Sequence, residues 1–167
     1  RHDISPSFGD ETGSKCMSGD FYLNPAENRY GNGKAIIEHI GIYDRDGQHA
    51  QNLTTNEEYE FRIRIVFIEQ IVNPIVSYRI KDVYGIDISG TNTLYQNVDT
   101  KVFKPEDTAL ISFYQKIPLN SGEYFLSASC AGFEKGEYVV YDRRYDALPF
   151  RVTALNSCDG LIDLAPT

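Results

Sequence analysis

The sequence predicts an all-β protein in which short antiparallel strands pack as two layers. Three observations predict this fold class. Tyr and Phe are abundant, with 12 and 9 copies, and aromatic residues favour half-buried pleated sheets. Turn residues recur about every dozen positions, the spacing expected for the short strands of a sandwich. No segment has the sustained helical period of a long helix.

The clearest predicted strand covers residues 58–68, where apolar and polar side chains alternate. A period of two is expected for a strand with one buried face. Arg62 and Arg64 fall on the outward face of this strand. The residues predicted to face the core are Tyr59, Phe61, Ile63, Ile65 and Phe67.

Apolar runs bounded by turn residues predict the other strands. The first is Ala35–Tyr43, which ends at the turn Asp44-Arg45-Asp46-Gly47. Turns are also predicted at residues 90–93 (Gly-Thr-Asn-Thr) and 132–136. About seven to nine short strands favour an immunoglobulin-like or jelly-roll antiparallel β-sandwich. The later strands are predicted at Ile75–Asp82 and at residues 86–89, 108–117, 123–131, 137–141 and 148–153.

The chain is long enough to form one domain with its own core. Residues 1–29 are rich in Ser, Gly, Asp and Asn, so we expect a linker or N-terminal arm there. Residues 30–155 form the predicted sandwich, and residues 156–167 form a C-terminal tail. Because the chain begins with Arg1 and not with Met, we expect it to be a piece of a larger protein.

Net charge and cysteine content narrow the function classes. The formal net charge of −8 argues against a nucleic-acid partner, because such proteins need a basic surface. No stretch approaches the roughly 18 apolar residues of a membrane span, so direct membrane insertion is not expected. Cys16, Cys130 and Cys158 are odd in number and far apart, which fits a reducing compartment rather than a disulfide framework.

Three short motifs resemble ligand sites but lack residues that those sites need. Asn32-Gly33-Lys34-Ala35 lacks the first Gly and the final Ser or Thr of a phosphate-binding loop. The turn at residues 44–47 lacks the later ligands of a calcium loop. His39 and His49 could meet across this turn, but two histidines alone make a weak metal site. We therefore predict no cofactor, no metal and no catalytic residue, although the 24 acidic residues leave a glycosidase pair of carboxylates open.

The outward face of the 58–68 strand is a candidate binding surface. If the 108–117 strand buries Ile111 and Phe113, its Ser and Tyr side chains at 112 and 114 share that face. Tyrosine rings stack on sugar rings, and guanidinium groups bind hydroxyls or acidic groups. A solvated face with charge pairs between strands, such as Glu60 with Lys116, would explain the same pattern. The predicted ligand-binding residues are Arg62, Arg64, Tyr114, Ser112 and Tyr43.

The other sheet offers a second candidate surface. It combines small hydroxylated side chains with cations and one aromatic ring, which also suits a sugar ligand. Nothing in the sequence decides between the two surfaces. The residues predicted to face outward on the second are Ser77, Arg79, Lys81, Phe125, Ser127, Ser129 and Arg151.

A series of motifs along residues 30–152 resembles a known family. The chain resembles the C-terminal carbohydrate-binding domain of the ATP-binding subunit of O-antigen polysaccharide ABC transporters, the Wzt type. The Gly-Thr-Asn-Thr segment is the more specific motif, and the Gly-x-Tyr-x-Leu segment at residues 122–126 occurs in many sandwiches. The other motifs are Tyr30-Gly31-x-Gly33-x-Ala35-x-Ile37, Ile40-x-Ile42-x-Asp44-x-x-Gly47, Tyr78-x-Ile80-x-Asp82-x-x-Gly85, Ile111-x-Phe113 and Tyr145-x-x-x-Pro149-Phe150-x-Val152.

This resemblance implies an immunoglobulin-like sandwich on the cytoplasmic side of the inner membrane, joined by a linker to an upstream nucleotide-binding domain. Domains of this family recognise the modified non-reducing end of a finished O-antigen before export. The implied partners are the polysaccharide terminus, a second copy in a homodimer and the membrane subunit of the transporter. The parent subunit would be an ATPase, and the domain itself would be non-catalytic. Contact residues vary with the terminal sugar, so the resemblance transfers no binding residue. The Arg62 and Arg64 pair would suit a Kdo-like sugar or a phosphate.

Two other functions stay open at this point. The first is a carbohydrate-active enzyme of the jelly-roll type, which would shorten its glycan. The second is a dimerisation or adaptor domain without a ligand. Titration with the native polysaccharide, with and without its terminal cap, separates a binding module from an adaptor.

Overall fold

The computed structural model describes residues 7–9, 21–156 and 158–165, which form strands, turns and loops. None of these residues belongs to a helix that is long and apolar enough to cross a bilayer. The predicted all-β class is confirmed. The strands are β1 Ser7–Gly9, β2 Asn28–Tyr30, β3 Ala35–Tyr43, β4 Asn52–Thr54, β5 Glu58–Phe67, β6 Ile71–Val72, β7 Ile75–Asp82, β8 Asp87–Asn92, β9 Val102–Phe103, β10 Thr108–Lys116, β11 Gly122–Glu134 and β12 Glu137–Thr153.

The strands form two main sheets that pack as a sandwich. The smaller sheet has four antiparallel strands in the order β1-β10-β5-β3. The larger sheet has the order β2-β12-β11-β7-β8, and β4 pairs in parallel with the last residues of β12. The short strands β6 and β9 pair with each other. This arrangement confirms the predicted antiparallel β-sandwich.

The core lies between the inner faces of these two sheets. The alternating set predicted for β5 is buried, from Tyr59 at 9% exposure to Phe61 at 0%. The larger sheet contributes Tyr78, whose ring meets those of Phe61 and Phe113 at centroid distances of 5.1 and 5.0 Å. Burying a side chain of this size stabilises the fold by about 1.5 to 3 kcal/mol. The outward faces are therefore left to carry function.

Two predicted turns differ in the structure. Gly90, Thr91 and Asn92 continue β8 and pair with β7, so the predicted turn at residues 90–93 is wrong, and the chain turns only from Thr93 onward. Gly90 fits there because a Cβ would lie 2.7 Å from the carbonyl oxygen of Tyr78. The predicted 132–136 loop is also shorter, since β11 extends to Glu134 and the turn follows it.

The two last predicted strands are one strand. β12 runs without interruption through the polar residues between the predicted segments 137–141 and 148–153. Polar side chains are stable there because Asp142 accepts hydrogen bonds from Arg29 and from the backbone N–H of Ile37. Arg144 in turn donates to Glu27 at 2.9 and 3.0 Å. Buried ion pairs thus replace the apolar contacts that sequence patterns detect.

Part of the predicted arm lies against the sandwich. β1 pairs with β10, with Phe8 opposite Ile111, and Phe21 packs against the core. The backbone N–H of Asn24 donates to the carbonyl oxygen of Ala147 at 2.9 Å. Residues 1–6 and 10–20 lie outside the described residues, so the predicted boundaries at 29 and 155 stay a prediction.

Candidate functional site

The outer face of the four-stranded sheet brings the five sequence-predicted site residues close together. The register sets Tyr43, Glu60 and Tyr114 side by side on three neighbouring strands. Arg62 lies beside Ser112 in the next outward row. Arg64 occupies the row beyond. The expected burial of Ile111 and Phe113 is confirmed, at 1% and 3% exposure.

A carboxylate that sequence reasoning paired differently is at the centre of this face. Glu60 lies 2.7 Å from the guanidinium of Arg62 and accepts a hydrogen bond from the Ser112 hydroxyl at 2.6 Å. Lys116, its partner in the sequence interpretation, is paired in register with Glu58 instead. The hydrogen bond with Glu60 raises the pKa of Arg62 above its ordinary value. The charge of Arg62 is thus neutralised within the protein.

The rest of this network is also internal. The guanidinium of Arg62 lies 3.9 Å from the centre of the Tyr43 ring, and Arg62 is only 9% exposed. Arg64 forms an ion pair with Glu38. Tyr114 is the open member of the set, at 47% exposure. The face is therefore a satisfied polar network with one accessible aromatic ring.

Phe21 closes one side of this network. Its ring meets those of His49, His39 and Tyr43 at centroid distances of 3.9, 5.5 and 5.6 Å. Nε2 of His39 and the hydroxyl of Tyr43 are 2.9 Å apart. Burial and the nearby charge of Arg62 lower the pKa of His39 to about 4. His39 is therefore neutral at physiological pH.

The outer face of the six-stranded sheet carries a groove with a volume of about 580 Å³. Its shape follows from the register, which sets Arg143, Ser129, Ser77 and Asn92 abreast on β12, β11, β7 and β8. Small side chains on the two middle strands leave a trough, because the flanking strands carry large ones. The large side chains along its sides are Arg79, Leu94, Tyr95, Phe133, Tyr138, Arg143 and Tyr145.

This groove includes part of the second predicted surface. Ser77, Arg79, Ser127 and Ser129 line it, whereas Lys81, Phe125 and Arg151 do not. Arg79 forms an ion pair with Asp87 at 3.0 Å. Asp87 is the one carboxylate among the residues that line the groove.

Arg143 occupies a different environment from the other arginines. Its guanidinium donates to the hydroxyl oxygens of Tyr30 and Tyr138 at 3.0 and 2.8 Å. It also lies 5.7 and 5.8 Å from the ring centres of Tyr30 and Tyr145. Burial lowers the pKa of Arg143, but the hydrogen bond with Tyr30 and the neighbouring tyrosine hydroxyls outweigh it, so the pKa lies above its ordinary value. Arg143 is thus a charged group held by neutral partners.

A smaller cavity of about 310 Å³ adjoins the groove. Both are lined by Tyr78, Ser89, Gly90 and Thr91, so the edge strand β8 lies between them. Tyr114 lines the smaller cavity and is the one sequence-predicted site residue that does so. An elongated ligand in the groove can therefore reach Tyr114 by crossing β8.

Sequence reasoning missed the residues that dominate the groove. Tyr138, Arg143 and Tyr145 belong to β12, where the predicted strands ended at residue 141 and resumed at 148. Alternation of Arg143 and Tyr145 with the buried Arg144 would have indicated one outward face. Tyr30 was read only as the start of the domain. The clustering itself depends on strand register, which sequence alone does not reveal.

The residues described contain no group of three or more His, Cys, Asp or Glu side chains that could hold a metal ion. Cys130 and Cys158 are free thiols. Burial raises the pKa of the Cys130 thiol, which lies in the core. Cys16 lies outside the described residues.

Comparisons with known proteins identify the family. A family model described as the Wzt C-terminal domain matches residues 26–164. A solved structure, the crystal structure of the C-terminal domain of Wzt, superposes with a TM-score of 0.81 at 28% identity and covers 89% of this chain and 90% of that one.

Other comparisons add little to this result. A CARDB domain of a Pyrococcus furiosus protein, solved with di-metal ions, has a TM-score of 0.38 at 11% identity, with 71% and 96% of the two chains covered, and carries no argument. No curated protein sequence matches the chain significantly. The family model and the Wzt structure both span most of the sandwich, including the strands that build the groove. The chain therefore belongs to the Wzt C-terminal domain family.

Proposed function

We propose that this domain is a non-catalytic module that binds the modified non-reducing end of an O-antigen polysaccharide in the groove over the six-stranded sheet. The observation that carries the proposal is the trough itself. It has a floor of serines, walls of exposed tyrosines and a guanidinium without a carboxylate partner among the described residues.

The chemistry of the groove suits a sugar ligand. The accessible rings of Tyr95 and Tyr138, at 75% and 52% exposure, offer flat apolar surfaces against which a pyranose ring packs. Ser77 and Ser129 supply hydroxyls that donate to and accept from sugar hydroxyls. A volume of about 580 Å³ falls within the range of small-molecule sites. The groove therefore has room for the end of a glycan rather than for a single ion.

Membership of the Wzt C-terminal domain family supports the wider setting of the proposal. In that setting the domain lies at the cytoplasmic face of the inner membrane, joined to a nucleotide-binding domain that supplies ATPase activity. It acts as a homodimer beside the membrane subunit of the transporter. Recognition of the finished terminus then commits the polysaccharide to export.

The network of Arg62, Arg64, Tyr114, Ser112 and Tyr43 stays the second candidate surface for the same function. Its main cation is neutralised by Glu60 and is nearly buried, so binding a ligand there would require that ion pair to open. Tyr114 is the exception, because it lines the cavity next to the groove. We propose that Tyr114 contacts a sugar further along the chain.

Calorimetric titration tests the proposal. The probes are the O-antigen polysaccharide of the strain that encodes this chain, with its terminal group intact, and the same polysaccharide with that group removed. We expect the capped polymer to bind at least about tenfold more tightly. Arg143→Ala should lose this binding, and Arg64→Ala, the matched change on the other sheet, should retain it.

Each opposite outcome has a definite meaning. Loss of binding in Arg64→Ala but not in Arg143→Ala would move the site to the four-stranded sheet. Equal binding of both polymers would overturn terminal recognition, and no binding of either would favour an adaptor. Shortened chains after incubation would indicate an enzyme, although a glycosidase needs two carboxylates across its cleft and the groove lining supplies only Asp87.

A further inference from the structure

Arg143 is distinguished by what it does not contact. Every other arginine in the described part of the chain lies within 4.0 Å of a carboxylate oxygen. Arg143 has no such partner in those residues, although the chain carries a net charge of −8. A cation in a groove without a counterion leaves its strongest hydrogen-bonding capacity for a ligand.

The partners of Arg143 orient it without neutralising it. A guanidinium has five N–H donors, and Arg143 uses two nitrogens on the hydroxyl oxygens of Tyr30 and Tyr138. Each phenol accepts from Arg143 and retains its own O–H to donate onward. Tyr30 and Tyr138 are 45% and 52% exposed, so these hydroxyls are accessible. Phenol O–H groups and remaining guanidinium N–H groups together form a set of donors.

The neighbouring charges agree with an anion at this place. Lys81 lies 5.5 Å from the ring of Tyr145 and adds positive potential, although it also pairs with Asp146 at 3.4 Å. The one carboxylate of the groove lining, Asp87, belongs to β8 and is held by Arg79. The end of the groove at β12 is therefore the positive end.

We infer that Arg143 binds an anionic group of the ligand, a carboxylate or a phosphate, with the hydroxyls of Tyr30 and Tyr138 as further donors. This inference rests on the proposed function in taking the groove as the glycan site. It adds that the sugar in the groove is acidic and names the side chain that selects for it. A purely structural role, in which Arg143 only holds the two tyrosines, predicts no preference for anions.

The test uses amide chemical shifts of the 167-residue chain and three simple probes. These are inorganic phosphate, methyl glucuronide and its neutral counterpart methyl glucoside, each at about 10 mM, where a millimolar Kd gives visible shifts. We expect phosphate and the glucuronide to move the amides of Ser129, Arg143 and Tyr145. The glucoside should bind about tenfold more weakly, because a charged hydrogen bond is stronger than a neutral one.

Variants separate the guanidinium from general charge. Arg143→Gln should abolish the preference for the glucuronide. Arg143→Lys should restore it only in part, since an ammonium lacks the planar fork. Arg151→Gln removes an exposed arginine of the same strand, paired with Glu123, and should leave the preference unchanged.

Three results would overturn the inference. Equal shifts from the glucoside would show that the groove binds sugars without regard to charge, and the proposed function would then survive. Absence of anion-induced shifts at these amides would remove the anion site, while the polysaccharide titration would still decide the proposed function. Equal loss in Arg151→Gln would assign the effect to net charge rather than to Arg143.

Discussion

Arg62 and Arg143 illustrate how differently two outward-facing arginines are held in this domain. Arg62 forms an ion pair with Glu60 at 2.7 Å, and the two side chains are only 10% and 12% exposed. Arg143 is held by phenols and faces a groove. Two charges removed from water stabilise a fold only while they stay paired. The first arginine is therefore a structural residue, whereas the second is available to a ligand.

Arg62→Ala should destabilise the domain by about 2 to 4 kcal/mol, because it leaves the Glu60 carboxylate half-buried without its cation. Urea unfolding followed by circular dichroism measures the change. The matched control is Arg45→Ala, which breaks two exposed pairs of 3.5 Å and should cost less than about 1 kcal/mol. Equal costs for the two variants would show that the Glu60 network does not stabilise the fold.

His39 gives the fold a pH dependence. Its pKa falls from 6.5 in the unfolded chain to about 4 in the folded one, through burial and the charge of Arg62. Between these values the unfolded state binds the extra proton, so the free energy of unfolding should fall as pH drops from 6.5 toward 4.

Comparison of two proteins isolates this effect from titrating carboxylates. In His39→Gln the amide can still pair with the Tyr43 hydroxyl, but it does not titrate. We expect thermal unfolding midpoints of the variant to fall less steeply over the same pH window than those of the natural chain. Parallel curves would exclude His39 as the source.

At the scale of elements, the groove depends on the edge pair β7–β8. β8 forms one wall of the groove and separates it from the cavity that contains Tyr114. Gly90 allows this pairing, since a Cβ at that position would lie 2.7 Å from the Tyr78 carbonyl oxygen and 3.2 Å from Cα of Arg79. The backbone atoms in question cannot move without disturbing the ladder.

Gly90→Ala should therefore loosen β8 and cost about 1 to 3 kcal/mol. Hydrogen exchange should accelerate at the amides of β7 and β8 and remain unchanged in β5. Gly136→Ala is the control, because nothing lies within 4 Å of a Cβ there and its strain comes only from a φ of 85°. Faster exchange of β8 in both variants would assign the effect to global destabilisation.

The elements also show what sequence patterns detect. The bounds of β3 and β7 agree with the predicted strands, and β5 ends one residue early, because each buries one alternating or continuous apolar face. β12 was divided because Asp142 and Arg144 are polar residues buried by ion pairs with Arg29 and Glu27. A pattern of hydrophobicity cannot register such pairs, since their partners lie more than 100 positions away in the chain.

At the scale of the whole molecule, the sandwich was predictable and the groove was not. Sandwich class follows from local alternation and turns, which each strand expresses by itself. The groove arises from four strands in register, with Arg143, Ser129, Ser77 and Asn92 in one row. A shift of one residue in any pairing would turn a side chain to the other face. The five predicted residues did cluster, because they lie on three strands whose outward faces were predicted correctly.

The molecule also contains an edge that its N-terminal strand covers. β1 pairs with Leu110, Ile111 and Ser112 of β10, and an uncovered strand edge is a template for pairing with another chain. A chain that begins at residue 21 keeps Phe21 and all other described strands but opens this edge. We expect it to fold with a similar circular dichroism spectrum and to lose about 1 to 3 kcal/mol, the net value of a few ladder hydrogen bonds.

Analytical ultracentrifugation over a range of concentrations measures the second consequence. The shortened chain should associate more strongly than the full one, and Ile111→Pro, which removes a backbone donor from the exposed segment, is unsuitable as a control because Ile111 is buried. Leu110→Lys is better, since its side chain is half-buried at the edge strand and a charge there discourages pairing between edges. Equal association of the two chains would show that β1 does not protect β10. Association that persists in the shortened Leu110→Lys variant would place the contact elsewhere on the sandwich.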